Sequence, residues 1–346
     1  MSAMPVIETY RTSEYHTAGE PFRIVESGPF EVPGVDVADR RARALESAEL
    51  QRVRALLCSE PRGHADMYGG FITPPDDADG DFGVLFWHKD GFSTACGHGT
   101  IALGVWAVDS GRVAAPADGE VTVSIDVPSG RVKAQVTMTA GRPREVTFVN
   151  VPSWAHARGV EVPTSRGPVS VDIGFGGAMY AVLPAADVGL DVHPRDYTEL
   201  IAIGREIRDA INARAGQPDW VARHPSDERL SGIYGTILVA PGDSGDSLHQ
   251  RNVTVFADGE VDRSPCGSGT AARIALLADS GDLAPGQVLR HESIIGTLFD
   301  GRIAERTEAF GRPAVVPQVT GMAYRTGACE FTVDPADPVV PGFVLR

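Results

Sequence analysis

The sequence predicts a mixed α/β fold of the α+β type, in which one kind of unit occurs twice along the chain. The first observation is a repeated motif: CGHGT at residues 96–100 returns as CGSGT at residues 266–270. The second is that each copy leads directly into an apolar stretch of helical character. The third is that short β-type runs are common and long helical patterns are few in both halves, which is typical of a duplicated, sheet-rich unit.

Strands are predicted where β-branched and aromatic residues form short runs or alternate with polar residues. The clearest case is a hairpin, because residues 120–127 and 132–138 alternate and residues 128–130 (PSG) supply a turn. Residues 329–333 are expected to form a closing strand that returns to the first half. The other predicted strands are residues 22–25, 82–87, 145–151, 169–174, 179–183, 235–240 and 252–256.

Two amphipathic helices and two apolar helices are predicted. Residues 40–57 are rich in Ala, Arg, Leu and Glu, with Asp36 or Asp39 as the amino-terminal cap. Residues 197–215 repeat this amphipathic pattern. The stretches that follow the two cysteine motifs carry few polar side chains on any face, so we expect these helices to be buried. They are residues 101–108 and 271–277.

Turn-forming residues cluster near residues 152–166, which predicts a boundary between two domains at this place. We expect the first domain to comprise residues 1–152 together with residues 329–346. The second domain then comprises residues 153–328. Each domain carries one copy of the cysteine motif.

Composition excludes several classes of partner. The chain has 346 residues, of which 42% are hydrophobic and 22% charged, and its formal net charge is −15. This acidic balance argues against nucleic acid or an anionic membrane as a partner. No apolar run approaches the roughly 18 residues of a membrane helix, and the amino terminus lacks a basic segment followed by an apolar one. We therefore expect a cytoplasmic protein.

The four cysteines fall into two pairs with different expectations. The sequence has no CxxC or HxxxH spacing, so we expect no metal site. Cys58 and Cys329 lack glycine-rich neighbours and are expected to be buried structural thiols. Cys96 and Cys266 each stand where a helix begins. There the backbone N–H groups and the helix dipole bind anions and lower the pKa of a thiol.

Two such helix starts facing each other would place two thiols on opposite sides of one carboxylate-bearing substrate. The glycines of both motifs allow successive N–H groups to form an anion-binding nest. The chemistry that needs this arrangement removes a proton from one face of a carbon and returns a proton to the other face. His98 and Asp262 stand near the two cysteines in sequence and are candidates for supporting this proton transfer.

Other interpretations of the same residues are weaker. A Cys–His pair at residues 96–98 fits acyl transfer, but that chemistry needs one nucleophile rather than two equivalent cysteines. Residues 174–177 (GFGG) follow a predicted strand without the GxGxxG spacing of a nucleotide site. A non-catalytic amino-acid-binding protein stays an alternative, although binding alone does not require two thiols.

Six motifs occur in order along the chain: residues 16–21 (HTAGEP), 60–64 (EPRGH), 96–100 (CGHGT), 174–180 (GFGGAMY), 262–270 (DRSPCGSGT) and 292–296 (ESIIG). Through these motifs the sequence resembles the proline racemase family. The resemblance implies a diaminopimelate-epimerase-like fold. Such a fold has two similar domains, each a curved sheet around a central helix, with the active site in the cleft between them.

The resemblance also implies a role for each motif residue. Cys96 and Cys266 would be the two acid–base thiols, and His98 and Asp262 would support them. The substrate would be a small imino acid, no cofactor would be needed, and a homodimer is the common assembly. The groups that would hold the substrate carboxylate are the backbone N–H groups of Gly97, His98, Gly267 and Ser268.

Three activities occur in this family: racemisation of proline, 2-epimerisation of hydroxyproline, and dehydration of trans-3-hydroxy-L-proline. The dehydratases resemble this chain at residues 60–68, 93–94 and 101–104, but they typically carry threonine where this chain has Cys266. Ala95 stands where methionine is usual. Because an epimerase needs a base on each face and a dehydratase needs one thiol, we expect a racemase or 2-epimerase, with the dehydratase as the alternative.

Overall fold

The computed structural model describes residues 7–243 and 248–345, which form 18 β-strands and five α-helices. The expectation about the amino terminus depends on residues 1–6, which lie outside the described residues. The strands are β1 (Glu8–Thr17), β2 (Glu20–Ser27), β3 (Gly69–Thr73), β4 (Phe82–His88), β5 (Gly91–Phe92), β6 (Gly119–Val127), β7 (Gly130–Thr139), β8 (Arg142–Val149), β9 (Trp154–Val162), β10 (Val169–Phe175), β11 (Met179–Pro184), β12 (Ile233–Pro241), β13 (Leu248–Phe256), β14 (Glu260–Asp262), β15 (Leu289–Glu292), β16 (Leu298–Ala309), β17 (Arg312–Gly321) and β18 (Ala323–Val333).

The helices are α1 (Val37–Glu46), α2 (Ala48–Cys58), α3 (Gly97–Asp109), α4 (Tyr197–Asn212) and α5 (Gly267–Ser280). The single helix predicted over residues 40–57 is wrong, because Ser47 divides it into α1 and α2. Ser47 has an extended backbone, and its side chain caps α2 by accepting a hydrogen bond from the N–H of Leu50. Asp36 is the cap of α1, since its carboxylate accepts from the N–H of Asp39 at 2.7 Å.

One ladder of paired strands runs through the molecule in the order β18–β1–β2–β3–β4–β6–β7–β8–β17–β16–β15–β13–β12–β11–β10–β9. Both halves of this ladder have the same pattern. The pair β2–β3 is parallel, β3–β4 antiparallel and β4–β6 parallel, as are β11–β12, β12–β13 and β13–β15 in turn. The predicted duplication is therefore visible in the pairing of the strands.

Each half of the ladder curves around one central helix. The helix α3 packs against β1, β2, β6, β7, β8 and β18, whereas α5 packs against β9, β10, β11, β16 and β17. Residues 97–107 of α3 are all buried, which explains why this helix has no polar face. The core prediction for both apolar helices is confirmed, and the two helices meet at their amino-terminal ends.

Two features of the structure concern the expected domain limits. Residues 154–162 form the strand β9 rather than a connection, because Trp154 stacks on Phe175 of the neighbouring strand at a centroid distance of 4.1 Å. The expected boundary between residues 328 and 329 falls inside β18, which pairs with β1 along its length. The domain limits stay a prediction. In the described part of the chain no helix is both long and apolar enough to cross a bilayer.

Candidate active site

The two cysteine motifs meet at the junction of the two halves. Cys96 is the amino-terminal cap of α3, and Cys266 holds the same position on α5. The backbones of Gly97 and Gly267 are in contact, since an ideal Cβ on Gly97 would lie 2.5 Å from the Cα of Gly267. The first N–H groups of a helix have no acceptor within that helix. Two sets of such donors therefore face one small region.

The first motif holds its thiol by local hydrogen bonds. The Sγ atom of Cys96 accepts from the N–H of Gly99 at 3.2 Å, so the cysteine takes the place of a serine as the helix cap. The Oγ1 of Thr100 donates to the carbonyl of Cys96 at 2.8 Å. Both ring nitrogens of His98 lie 3.5 Å from the Cys96 sulfur.

The second motif holds its thiol by a strained backbone. Cys266 has φ of +63°, a conformation that a residue other than glycine rarely adopts. Its N–H donates to Ser264 Oγ at 3.1 Å, and Ser264 is fixed in turn by donating from N–H and Oγ to Asp262 at 2.8 and 2.6 Å. Strain of this kind persists where surrounding contacts determine the backbone, and it is frequent at active sites.

Asp262 also connects the two motifs. Its second carboxylate oxygen lies 3.7 Å from the Nδ1 of His98. The carboxylate therefore shapes the loop before Cys266 and faces the histidine beside Cys96. The structure brings His98 and Asp262, which are distant in sequence, into one cluster with both thiols.

The two thiols line a small cavity of about 10 Å³. This is room for about one water molecule, and Cys96 and Cys266 are only 4% and 5% exposed. The residues that line the cavity are Tyr68, Ala95, Cys96, His98, Tyr180, Tyr234, Phe256, Asp262, Cys266 and Ser268. The structure therefore places five of the seven residues proposed from sequence on one cavity, and the other two, Gly97 and Gly267, at the contact beneath it.

Three tyrosines of this cavity received no role in the sequence analysis. The hydroxyl of Tyr68 bonds with Ser93 and, at 3.1 Å, with the hydroxyl of Tyr234. The hydroxyl of Tyr180 lies 2.7 Å from Ser268 Oγ and 4.0 Å from the sulfur of Cys266. Tyr68 and Tyr180 do lie inside motifs that the sequence analysis quoted, whereas Tyr234 stands in an ordinary strand pattern with no local signal.

The expected low pKa of the two thiols is not what this closed structure has. Burial raises the pKa of Cys96 well above that of an exposed thiol, and the hydrogen bond from Gly99 opposes this only in part. Burial, together with the nearby Asp262 carboxylate, raises the pKa of Cys266 in the same way. The helix ends lower a thiol pKa as expected, but exclusion of water has the larger effect.

A short turn of the first half holds both motifs. The turn joins β1 to β2. Thr17, the last residue of β1, donates from Oγ1 to the carbonyl of His98 at 2.8 Å. Glu20, the fully buried first residue of β2, accepts from the N–H of Arg263 at 2.8 Å and forms an ion pair with the Arg263 guanidinium at 3.0 Å. These contacts give the motif at residues 16–21 a structural role, whereas the sequence analysis used this motif only for the family resemblance.

The structure has a group of side chains with the spacing of metal ligands. Within the described residues one group, His88, Asp90 and Glu260, has potential ligand atoms within 4.8 Å of one another. The ammonium of Lys89 already lies 2.8 Å from Asp90 and 3.8 Å from Glu260, which disfavours a second cation. Of the remaining cysteines, Cys58 is buried as expected, whereas the expectation for Cys329 is wrong because it is only half-buried on β18.

Buried histidines predict a loss of stability in acid. Burial lowers the pKa of His98 to about 4 and the pKa values of His88 and His291 to about 3, from 6.5. As pH falls below 6.5, the unfolded chain takes up protons that the folded chain does not. We expect the free energy of unfolding to fall by up to about 1.4 kcal/mol per pH unit for each histidine. Urea unfolding at pH 7 and pH 5 measures this, and equal values would contradict it.

Comparison with known proteins places this site in a family. Residues 13–344 match the sequence family described as proline racemase. The 3-hydroxyproline 2-epimerase of Burkholderia multivorans is 44% identical over 345 residues, covering 99% of this chain and 100% of that protein. The trans-3-hydroxy-L-proline dehydratase of Azospirillum brasilense has the same identity and coverage.

A solved structure agrees with the fold. The crystal structure of a hydroxyproline epimerase from Agrobacterium vitis, with bound trans-4-hydroxy-L-proline, superposes with a TM-score of 0.90 and 28% identity. It covers 97% of this chain and 96% of that one, and the predicted fold class is confirmed. The chain belongs to the proline racemase family.

Proposed function

We propose that this protein is a cofactor-independent racemase or 2-epimerase of proline or hydroxyproline, with Cys96 and Cys266 as the acid–base pair. The observation that carries the proposal is the meeting of two helix starts, each preceded by a cysteine, at one cavity. One thiol on each half of the molecule supplies one proton-transfer group for each face of a substrate held between them. A non-catalytic binding protein would need neither thiol.

In this mechanism the substrate carboxylate is bound by the N–H groups of Gly97, His98, Gly267 and Ser268. One cysteine, as thiolate, takes the α-proton, and the electron pair left on the α-carbon spreads into the carboxylate. The N–H donors at the two helix ends stabilise that charge as it develops. The other cysteine, as thiol, then gives its proton to the opposite face, so the two sulfurs exchange protonation states in each turnover.

His98 and Asp262 prepare the thiols in this proposal. Because burial lowers its pKa to about 4, His98 is neutral near pH 7, and its imidazole is a hydrogen-bond partner of the Cys96 sulfur, 3.5 Å away. Asp262 fixes the loop that presents Cys266 and faces the imidazole of His98 at 3.7 Å. In this mechanism neither His98 nor Asp262 transfers a proton to or from the α-carbon.

The second candidate is dehydration of trans-3-hydroxy-L-proline. One 44%-identical relative is named a trans-3-hydroxy-L-proline dehydratase and another a 3-hydroxyproline 2-epimerase, so relatedness alone does not choose between the two reactions. Dehydration takes the α-proton with one thiol and needs an acid for the leaving 3-hydroxyl. The hydroxyl of Tyr68, which lines the cavity and bonds with Ser93 and Tyr234, is the candidate acid. Cys266, in place of the threonine typical of dehydratases, favours epimerisation.

Proton NMR with trans-3-hydroxy-L-proline in D2O separates the two reactions. We expect exchange of the α-proton together with the signals of cis-3-hydroxy-D-proline, because two thiols act on opposite faces. Loss of the 3-hydroxyl with formation of the cyclic imine would instead establish the dehydratase. If the spectrum does not change, proline and trans-4-hydroxy-L-proline are the next substrates, and inertness towards all three would reject the proposed function.

A further inference from the structure

A second, larger cavity lies beside the cavity that the two thiols line, which we name the catalytic cavity. Its volume is about 300 Å³, at the lower end of the range for sites that bind small molecules. Tyr234 lines both cavities, and Ser93 lines the larger one. Since the Tyr68 hydroxyl bonds with Ser93 and Tyr234, these three side chains form the wall between the two spaces. We name the larger space the arginine cavity, after Arg41, Arg208 and Arg229, which line it.

The three arginines come from both halves of the molecule. Arg41 lies on α1, and its guanidinium donates to the carbonyls of Phe92 at 2.8 Å and Arg229 at 3.3 Å. Within residues 7–243 and 248–345 no carboxylate forms an ion pair with Arg41. Burial and the positive charge of Arg229 lower its pKa, as expected for a cation that lacks a counter-ion.

Arg208 has a buried hydrogen-bond donor without a partner. It lies on α4, where one terminal nitrogen donates to Asp209 at 2.7 Å, but its Nε is buried and has no hydrogen-bond partner. Leaving a buried donor unsatisfied costs about 1–3 kcal/mol. Arg229, in contrast, is already paired with Asp227 at 2.7 Å. Arg41 is therefore a cation without a counter-ion among the described residues, and Arg208 has a buried donor without a partner.

Acidic groups do not neutralise this cavity. Of the described residues that line it, Asp90 is the one carboxylate. Its Oδ2 atom already accepts from the Lys89 ammonium and from the N–H of Asp258, both at 2.8 Å. His88, which also lines the cavity, is neutral near pH 7 because burial lowers its pKa to about 3. A small anion is the ligand that would pair with the charge of Arg41 and accept a hydrogen bond from the Nε of Arg208.

We propose that the arginine cavity is an antechamber in which Arg41 and Arg208 bind the carboxylate of the substrate before it reaches the thiols. The identity of that substrate as a small imino acid depends on the proposed function. The catalytic cavity has a volume of about 10 Å³, which is too small for such a molecule unless the walls of the cavity move. Displacement of the wall formed by Tyr68, Ser93 and Tyr234 connects the two spaces. The positive charges of Arg41 and Arg208 in the arginine cavity raise the rate at which the anionic carboxylate of the substrate associates with the protein.

Binding is tested without turnover, with sodium acetate as the probe. In protein labelled with ¹⁵N-arginine, the Nε–H signals of Arg41 and Arg208 are assigned by their disappearance in Arg41→Lys and Arg208→Lys. We expect acetate to move both signals to saturation, and sodium chloride at equal ionic strength to move neither. If acetate and chloride have the same effect, the antechamber is rejected, whatever the protein catalyses.

The kinetic test uses the imino acid that the NMR assay identifies. We expect Arg41→Gln and Arg208→Gln each to lower kcat/KM by about tenfold and to weaken its dependence on salt, through a higher KM. Arg43→Gln is the matched control, because Arg43 also lies on α1 but is exposed and pairs with Asp39. A fall confined to kcat, or an equal fall in Arg43→Gln, would overturn the antechamber. Absence of turnover in the parent protein would reject the proposed function alone.

Discussion

Replacement of Cys266 by serine is expected to lower interconversion of the two substrate epimers by about 10²–10⁴-fold, the range that general acid–base catalysis contributes. A serine hydroxyl is a far weaker acid than a thiol and is not ionised near neutral pH, so one face of the α-carbon loses its proton-transfer group. Cys96→Ser is expected to have an equal effect, because each direction of the reaction uses one thiol as base and the other as acid. Polarimetry or chiral chromatography measures the rates.

Cys329→Ser provides the matched control for these variants. Cys329 is a half-buried cysteine on β18 and does not line the catalytic cavity. Its replacement is expected to leave the rate within about twofold, consistent with surface substitutions that change stability by less than about 0.5 kcal/mol. If Cys266→Ser retained substantial interconversion, the two-thiol mechanism would be rejected even if the substrate were correct.

Cys266→Thr distinguishes the two candidate reactions further. A dehydratase uses one thiol, so dehydration of trans-3-hydroxy-L-proline would survive this substitution whereas epimerisation would not. Retention of imine formation in Cys266→Thr, with its loss in Cys96→Ser, would assign the single base to Cys96. The pair of variants therefore tests the alternative on the same chain.

The elements that the sequence predicted well are those with a local signal. The hairpin of β6 and β7 alternates strictly around a PSG turn, and the two apolar helices follow a repeated motif. The sequence analysis did not predict the strands β16 and β17, and the reason differs between them. Residues 298–309 are rich in Glu, Arg and Ala, which favour helices, and residues 312–321 contain two prolines. Pairing between these strands and with β8 outweighs both local preferences.

The candidate site was predictable to the extent that it lies in motifs. Cys96, His98, Asp262 and Cys266 come together as the repeat implied, because each cysteine directly precedes a central helix. The pKa of the thiols was not predictable, since it depends on how completely the two halves exclude water. The tyrosine wall and the arginine cavity depend on side chains from distant elements, for which a single sequence has no periodic signal.

Replacement of Gly97 by alanine is expected to separate the two helix starts. The new Cβ would lie 2.5 Å from the Cα of Gly267, 2.6 Å from its carbonyl carbon and 2.7 Å from the N of Ser268. These are backbone atoms, so no side-chain rotation relieves the overlap. Overpacking of this kind costs about 1–3 kcal/mol, which exceeds the gain of at most about 1 kcal/mol from replacing glycine in a helix. We therefore expect a lower free energy of unfolding.

The effect of Gly97→Ala on activity is expected to be larger than its effect on stability. The thiols and the N–H donors must converge on one α-carbon, and a displacement of about 1 Å can cost about 10²-fold in rate. Gly327→Ala is the control, because Gly327 lies on β18 with no atom within 4 Å of the added Cβ and without a positive φ. Urea unfolding and epimerisation rates are compared for both variants. If Gly97→Ala kept the parent's rate and stability, the close contact of the two helix ends, on which the opposed-thiol mechanism depends, would not exist in solution.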